Sequence, residues 1–156
     1  MRGSQNKARK YVLKLLSYRG RSERELEERL LRKGVTKSEA YSAIRHFKDI
    51  GLIDDVSLAE SLMRETLTTK LLSHKGAKRY MLNRGIPREI VDMVFCRHED
   101  TDFDNAGRIV DKKLKILGKY PPAVVRRRLY GLLSRRGYSS ETISKILRDK
   151  NLKEED

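Results

Sequence analysis

The chain has 156 residues, 38% of them hydrophobic and 37% charged, and its 36 lysines and arginines against 22 aspartates and glutamates leave a formal charge of +14. One domain's length, a thin apolar supply and a large cationic excess exclude a big buried core and a membrane-spanning bundle, and they point to a polyanionic partner, nucleic acid first and an acidic protein surface second. The one cysteine, Cys96, excludes an intramolecular disulfide and suits a reducing compartment.

The first helix is expected over about Lys7 to Tyr18, with Tyr11, Leu15 and Tyr18 or else Val12, Leu15 and Leu16 inward. Ser22 with Glu25 reads as a capping box that opens a second helix carrying Leu26 and Leu30. That helix ends on Lys33-Gly34-Val35, and Thr36 with Glu39 opens a third carrying Ala40, Ala43 and Ile44. The same order then repeats. A helix starting at Ile53-Asp54-Asp55 carries Leu58, Leu62 and Met63; the next carries Ala77 and Met81 to the turn Arg84-Gly85-Ile86; the third follows Pro87 with Val91, Val94 and Phe95. A third round starts within Asp100 to Asp104 and carries Ile109, Val110 and Leu114. After Pro121 and Pro122 come Leu129 and Leu133, the turn Arg136-Gly137-Tyr138, a cap at Ser139 or Ser140, and Ile143, Ile146 and Leu147.

The phrases LLRKGVT, MLNRGIP and LSRRGYS are therefore one tight helix-to-helix turn written three times, with a cation beside the last carbonyls and a glycine free to take the left-handed conformation. The expected fold is all-α: a tandem array of three three-helix, helix-turn-helix-like modules, elongated and curved, because units this small support one another through their neighbours. Their boundaries are 1–55, 56–101 and 102–150, followed by a polar tail at 151–156.

Cations concentrate in the two outer modules, while the middle one is nearly balanced. The densest run is AVVRRRLYGLLSRRGY. With Val125, Leu129, Leu132 and Leu133 inward, Arg127 points outward, Arg128 and Arg135 share one flank and Arg126 takes the other. Together with Arg108, Lys112, Lys113 and Lys115 these form a candidate surface for phosphates or carboxylates. Tyr130 and Tyr138 are expected in the core or at its rim, not as stacking faces.

Catalytic and metal-ligating signatures are missing from the sequence. His46, His74 and His98 stand too far apart in sequence to form a local ligand pair, and HEDTD is not HExxH. The acidic pairs Asp54-Asp55 and Glu99-Asp100 fall at helix starts, where capping explains them. No enzyme activity, cofactor or metal is expected. Cys96, in the apolar run IVDMVFC, is expected to be a small buried hydrophobe. The amino-terminal MRGSQNKARK lacks the apolar core of a signal peptide, so the expectation is a soluble, cytoplasmic monomer with no membrane contact.

GLIDDVSLAESLM (Gly51 to Met63) and SHKGAKRYMLNRGIPREIVDMVF (Ser73 to Phe95), framed by ELEERLLRKGV and RRRLYGLLSRRGY, resemble the RecX family of regulatory proteins over nearly the whole chain. The most specific part is the ordered set Ile53-Asp54-Asp55, Leu58-Ala59, Lys75-Gly76 and Arg84-Gly85-Ile86. The chain departs from the family pattern at Leu58, where an aromatic residue is common, and at Tyr138, where an aliphatic one is. The resemblance implies a partner in DNA repair, recombination and the SOS response: the RecA recombinase filament on single-stranded DNA. Such proteins lodge in the filament groove, bridge neighbouring subunits, and restrain ATP hydrolysis, strand exchange and co-protease activity. They also bind DNA directly, single-stranded and in some cases double-stranded. On that basis Arg126, Arg127, Arg128 and Arg135, with Lys112 and Lys113, are assigned to an acidic or phosphate surface, and Lys7, Arg9, Lys10 and Lys14 serve the other end. The alternative is a stand-alone helix-turn-helix-like DNA binder, although the third helices, starting TKSEAYSA, PREIVDMV and SSETISKI, are poor in base-reading residues.

Overall fold

The structure is a computed structural model that describes residues 2–152. All regular elements among the described residues are helices: α1 (Arg2–Tyr18), α2 (Glu23–Arg32), α3 (Lys37–Asp49), α4 (Asp55–Thr68), α5 (His74–Asn83), α6 (Arg88–Phe95), α7 (Asp102–Leu117), α8 (Pro122–Arg135) and α9 (Ser140–Asp149). Of the expected tail, residues 153–156 lie outside the described residues. Contacts divide the chain into two compact units. One takes the chain up to Leu62 together with Met81–Cys96; the other takes Met63–Tyr80 and the chain from Arg97 onward. The three central helices are thus shared out, α6 to the first unit and most of α5 to the second.

In the first unit α1, α2 and α3 pack on one another around Ala8, Val12, Leu15, Leu26, Leu30, Ala40, Ala43, Ile44, Phe47 and Ile53. Ala8, Val12 and Leu15, at steps of four and three, make the inward stripe of α1. Tyr18, expected inward on one of two alternatives, is 71% exposed, because it lies at the end of α1 off the line of that stripe. Helix α1 also starts earlier than its sequence suggests. Ser4 Oγ donates to Glu39 Oε1 at 2.6 Å, which ties the first turn of α1 to α3 where no local cap is visible.

The second unit packs α7, α8 and α9 around Ala106, Ile109, Val110, Val125, Leu129, Leu133, Tyr138, Ile143, Ile146 and Leu147, with Leu71 from the α4–α5 connection in the same cluster. Asn105, buried on α7, donates its amide to the Leu67 carbonyl at 3.0 Å and so anchors the end of α4.

Local signals operate as read. Ser22 and Thr36 form complete capping boxes with Glu25 and Glu39, and Ser139 caps α9 by accepting from Thr142 N at 3.1 Å. Gly34, Gly85 and Gly137 take φ of +84°, +82° and +93°. A fourth left-handed glycine, Gly51 at +81°, closes α3 and was not among the expected turns. Cys96 corrects the expectation of burial: it is exposed. Val91 and Phe95, four apart, face the core of α6, and the next residue rotates outward, where Cys96 Sγ donates to the Met93 carbonyl.

Candidate functional site

The repeated turn does more than reverse the chain. In the first unit Ser22, the N-cap of α2, accepts from Glu25 N at 3.1 Å and donates its hydroxyl to the main-chain carbonyl of Arg84 at 2.6 Å. Arg84 completes the joint, its Nη2 donating to the Gly20 carbonyl at 2.8 Å and its Nε to Glu25 Oε1 at 3.0 Å. In the second unit the same parts recur one repeat later. Ser73, just before α5, accepts from Gly76 N at 2.9 Å, and its N–H and hydroxyl both donate to the Arg136 carbonyl; Arg136 Nη1 donates to the Lys70 carbonyl at 2.6 Å. Each joint seats the glycine turn of one repeat on the start of the second helix of the repeat before it.

Close approach explains the glycines. A Cβ on Gly85 would stand 2.7 Å from Ser22 Oγ, and one on Gly137 would stand 2.6 Å from Ser73 Oγ and 2.7 Å from Gly76 N. Gly76, which occupies the place Glu25 holds in the first joint, would bring a Cβ to 2.3 Å from the Arg136 carbonyl oxygen. Gly34, in the first repeat, has nothing within 4 Å of such an atom. Its glycine answers to φ alone.

The second joint has an additional clasp. Tyr138, buried, donates its hydroxyl to the carbonyl of Leu71 at 2.7 Å, and Leu71 takes a φ of +50° that an L side chain adopts at a cost. Burial holds the Tyr138 phenol well above its ordinary pKa, so it remains a donor. This gives the tyrosine after the third glycine a physical role.

Acidic residues at the helix starts brace neighbouring elements. Asp54 Oδ1 accepts from the N–H groups of Val56 and Ser57, which hold its carboxyl below the ordinary range. Asp55 reaches back to accept from Glu23 N at 3.1 Å, and Asp102 accepts from His74 N at 2.8 Å. Burial raises the pKa of both Asp55 and Asp102, and those N–H groups oppose the shift. The second brace also sets side by side two histidines that lie too far apart in sequence to form a local ligand pair. By drawing the start of α5 against the start of α7, it brings His74 Nε2 to 3.3 Å from His98 Nδ1.

The predicted cations separate by face. On α8, Arg127, Arg128 and Arg135 are exposed, and the Arg128 guanidinium lies 4.5 Å from the centroid of the Tyr120 ring, a stacking contact absent from the sequence reading. Arg126 is half-buried on the other flank and donates to the Leu152 carbonyl at 3.2 Å. On α7, Arg108, Lys112 and Lys115 are exposed, while Lys113 follows Ile109 by four residues onto the core side and is half-buried. On α1, Lys7, Lys10 and Lys14 are exposed at steps of three and four and share one stripe; Arg9 is half-buried off that stripe. Lys150 pairs with Asp111 at 2.8 Å. No described residue forms an ion pair with Arg127, Arg128, Arg135 or Lys112.

Family models for RecX match two stretches of the chain, the first three-helix domain at residues 8–47 and the third three-helix domain at 100–147. The chain belongs to the RecX family. Among RecX relatives, the regulatory protein RecX of Amycolatopsis mediterranei is 28% identical over 133 residues, covering 85% of this chain and 76% of the relative. That of Mycobacterium avium is 27% identical over 146 residues, covering 92% and 84%. The crystal structure of RecX from Lactobacillus salivarius superposes with a TM-score of 0.76 at 21% identity, over 97% of this chain and 99% of that one, which shows the shared fold. The RecX third-domain match spans the cationic residues of α7 and α8, and the first-domain match spans Arg9, Lys10 and Lys14 but not Lys7. Among the described residues, no helix is long and apolar enough to cross a membrane.

Proposed function

We propose that this chain is a non-catalytic regulator that binds the RecA recombinase filament on single-stranded DNA and restrains its ATP hydrolysis, strand exchange and co-protease activity. It acts in the cytoplasm as a monomer built of three successive modules. Membership in a family of regulatory proteins supports the regulatory role. The observation that carries the choice of partner is the exposed face of α8, where Arg127, Arg128 and Arg135 make no ion pair with any described residue. Cations left without an internal counter-charge favour an anionic surface, and arginine suits carboxylate and phosphate in paired hydrogen bonds.

The lysine stripe of α1 lies in one compact unit and the arginine face of α8 in the other. Two modest contacts carried on one chain reinforce each other, because the second forms at the high effective concentration set by the first. Direct contact with DNA, single-stranded or double-stranded, is electrostatic in this account. With about six phosphates contacted, affinity for naked DNA falls on the order of a thousandfold between 50 and 200 mM salt.

Co-sedimentation with preformed filaments tests the assignment. Arg127→Glu combined with Arg128→Glu is expected to lose filament binding while the circular dichroism spectrum stays unchanged, since both side chains are exposed. Unchanged filament binding by that double variant would remove α8 from the interface. Binding to naked DNA that equals filament binding at every salt concentration would favour a stand-alone DNA binder.

A further inference from the structure

We propose that Tyr120 and Gly131 are positioning residues that hold Arg128 and Arg135 as a preset pair of guanidinium groups on α8, aimed at carboxylates fixed on the surface of a folded partner. The proposal rests on the reading of α8 as the face that meets the filament, and names what that face recognises there. All four residues belong to the second compact unit. Arg128, Gly131 and Arg135 follow one another along α8 at steps of three and four residues and so share one stripe.

Gly131 is the odd member of that stripe. A glycine inside a helix weakens it relative to alanine, so its presence there needs a reason. The repeat supplies none: at the place before the turn glycine where the third repeat has Gly131, the first has Glu28 and the second Arg79. Core packing supplies none either. Beyond its chain neighbours and its own helical backbone, the only atom among the described residues within 4 Å of a Cβ on Gly131 is Arg135 Nη1, at 3.2 Å. A helical side chain leans back over the preceding turn, and the missing Cβ leaves the Arg135 guanidinium room to lie against it.

Arg128 is held from the other end of the stripe. Its guanidinium lies 4.5 Å from the centroid of the Tyr120 ring, and Lys119 Nζ lies 5.4 Å from the same centroid. The ring has a firm base. Tyr120 N donates to the Leu117 carbonyl at 3.0 Å, and Pro121 and Pro122 follow at once and restrict the backbone into α8. Stacking uses the flat face of the guanidinium and leaves its N–H fork free for an oxyanion.

Residues seven apart stand about 10.5 Å apart along a helix, a spacing that carboxylates two turns apart on a partner helix reproduce. Presetting matters where the anions are equally fixed. Rotamer freedom already given up in the free protein is not lost again on docking, and a rigid protein surface makes full use of that. Single-stranded DNA instead moves its phosphates to meet nearby cations, and its affinity follows the number of charges through counterion release. Two held guanidinium groups therefore favour carboxylates over phosphates.

Co-sedimentation with preformed RecA filaments, beside binding to naked single-stranded DNA at the same salt, tests this with substitutions that keep every charge. Tyr120→Ala and Gly131→Ala are each expected to weaken filament binding about threefold to tenfold, the penalty for ordering one long side chain, and to leave naked-DNA affinity unchanged. Tyr120→Phe, which keeps the ring, is expected to bind filaments as wild type does. Gly131→Ala is expected to raise the urea midpoint, so that its weaker binding is not a loss of fold. A lower midpoint would mean that the glycine serves the fold, and would overturn its role. Arg128→Gln with Arg135→Gln separates the two claims. Wild-type filament binding by that variant would refute the α8 face and the proposal with it. Loss of binding there, with Tyr120→Ala and Gly131→Ala unaffected, would overturn the positioning alone. Equal losses on filament and naked DNA in Tyr120→Ala and Gly131→Ala would assign the guanidinium groups to phosphates and overturn the carboxylate partner.

Discussion

The hydroxyl of Ser22 meets the main-chain carbonyl of Arg84 at 2.6 Å across 62 residues of sequence, and Ser73 meets Arg136 across 63 in the same way. These two pairs turn a repeated phrase into a mechanical part, since each caps a helix in one repeat and receives the turn of the next. Removing the Ser22 hydroxyl therefore takes away a cap and a tertiary bond together. Ser22→Ala is expected to cost about 1–2 kcal/mol, read as a lower urea midpoint with an unchanged slope.

The three repeat glycines should rank by what surrounds them. Gly34→Ala meets only the left-handed backbone, a cost of about 1–2 kcal/mol. Gly85→Ala and Gly137→Ala add a Cβ under 3 Å from the serine hydroxyl of the joint, and Gly137 also meets the Gly76 backbone, which has no side chain to move. Denaturation midpoints are expected to fall in the order Gly34→Ala, then Gly85→Ala, then Gly137→Ala, the last being the least stable.

Tyr138→Phe keeps the ring in the core and deletes the donor to Leu71, leaving a buried carbonyl without that partner. Such a loss costs about 1–3 kcal/mol. Hydrogen exchange is expected to rise around residues 69–73 before it rises in α9. Uniform exchange in the variant would show that the clasp does not hold this connection.

Glu25 links joint stability to pH. Burial raises its pKa, but the guanidinium of Arg84 and the N–H of Ser22 outweigh that effect and hold it below its ordinary value of 4.5. A carboxylate with a depressed folded-state pKa contributes stability that is present above the unfolded value and is lost as pH falls through the folded one. Glu25→Gln, which retains the capping-box geometry, is expected to be less stable than wild type at pH 7 by about 1 kcal/mol or less. The gap should close below pH 4.5. A gap that persists there would mean that shape, not charge, carries the interaction.

The turns, capping boxes and apolar stripes were legible because each depends on residues within one or two helical turns. The Gly34 turn and the Thr36 box needed nothing distant. What joins the repeats was not legible: Ser22 reads as an ordinary cap, and nothing near it indicates that Arg84 will supply a second partner. For the same reason the sequence shows no local link between His74 and His98, whose contact depends on Asp102 holding the N–H of His74. Cys96 was misplaced because an apolar run does not say which residue falls past the end of the buried face. Among the cations, helical geometry set Arg127 apart from Arg126 correctly, but Lys113 and Arg9 sit closer to the core than a count of charges suggests.

The most direct measurement of the central claim is ATP hydrolysis by preformed RecA filaments on single-stranded DNA during titration with this chain, alongside naked-DNA binding at the same salt. The account predicts loss of hydrolysis at concentrations that leave naked DNA uncoated, and loss of that effect in Arg127→Glu with Arg128→Glu. Hydrolysis that persists until the chain saturates naked DNA would contradict it.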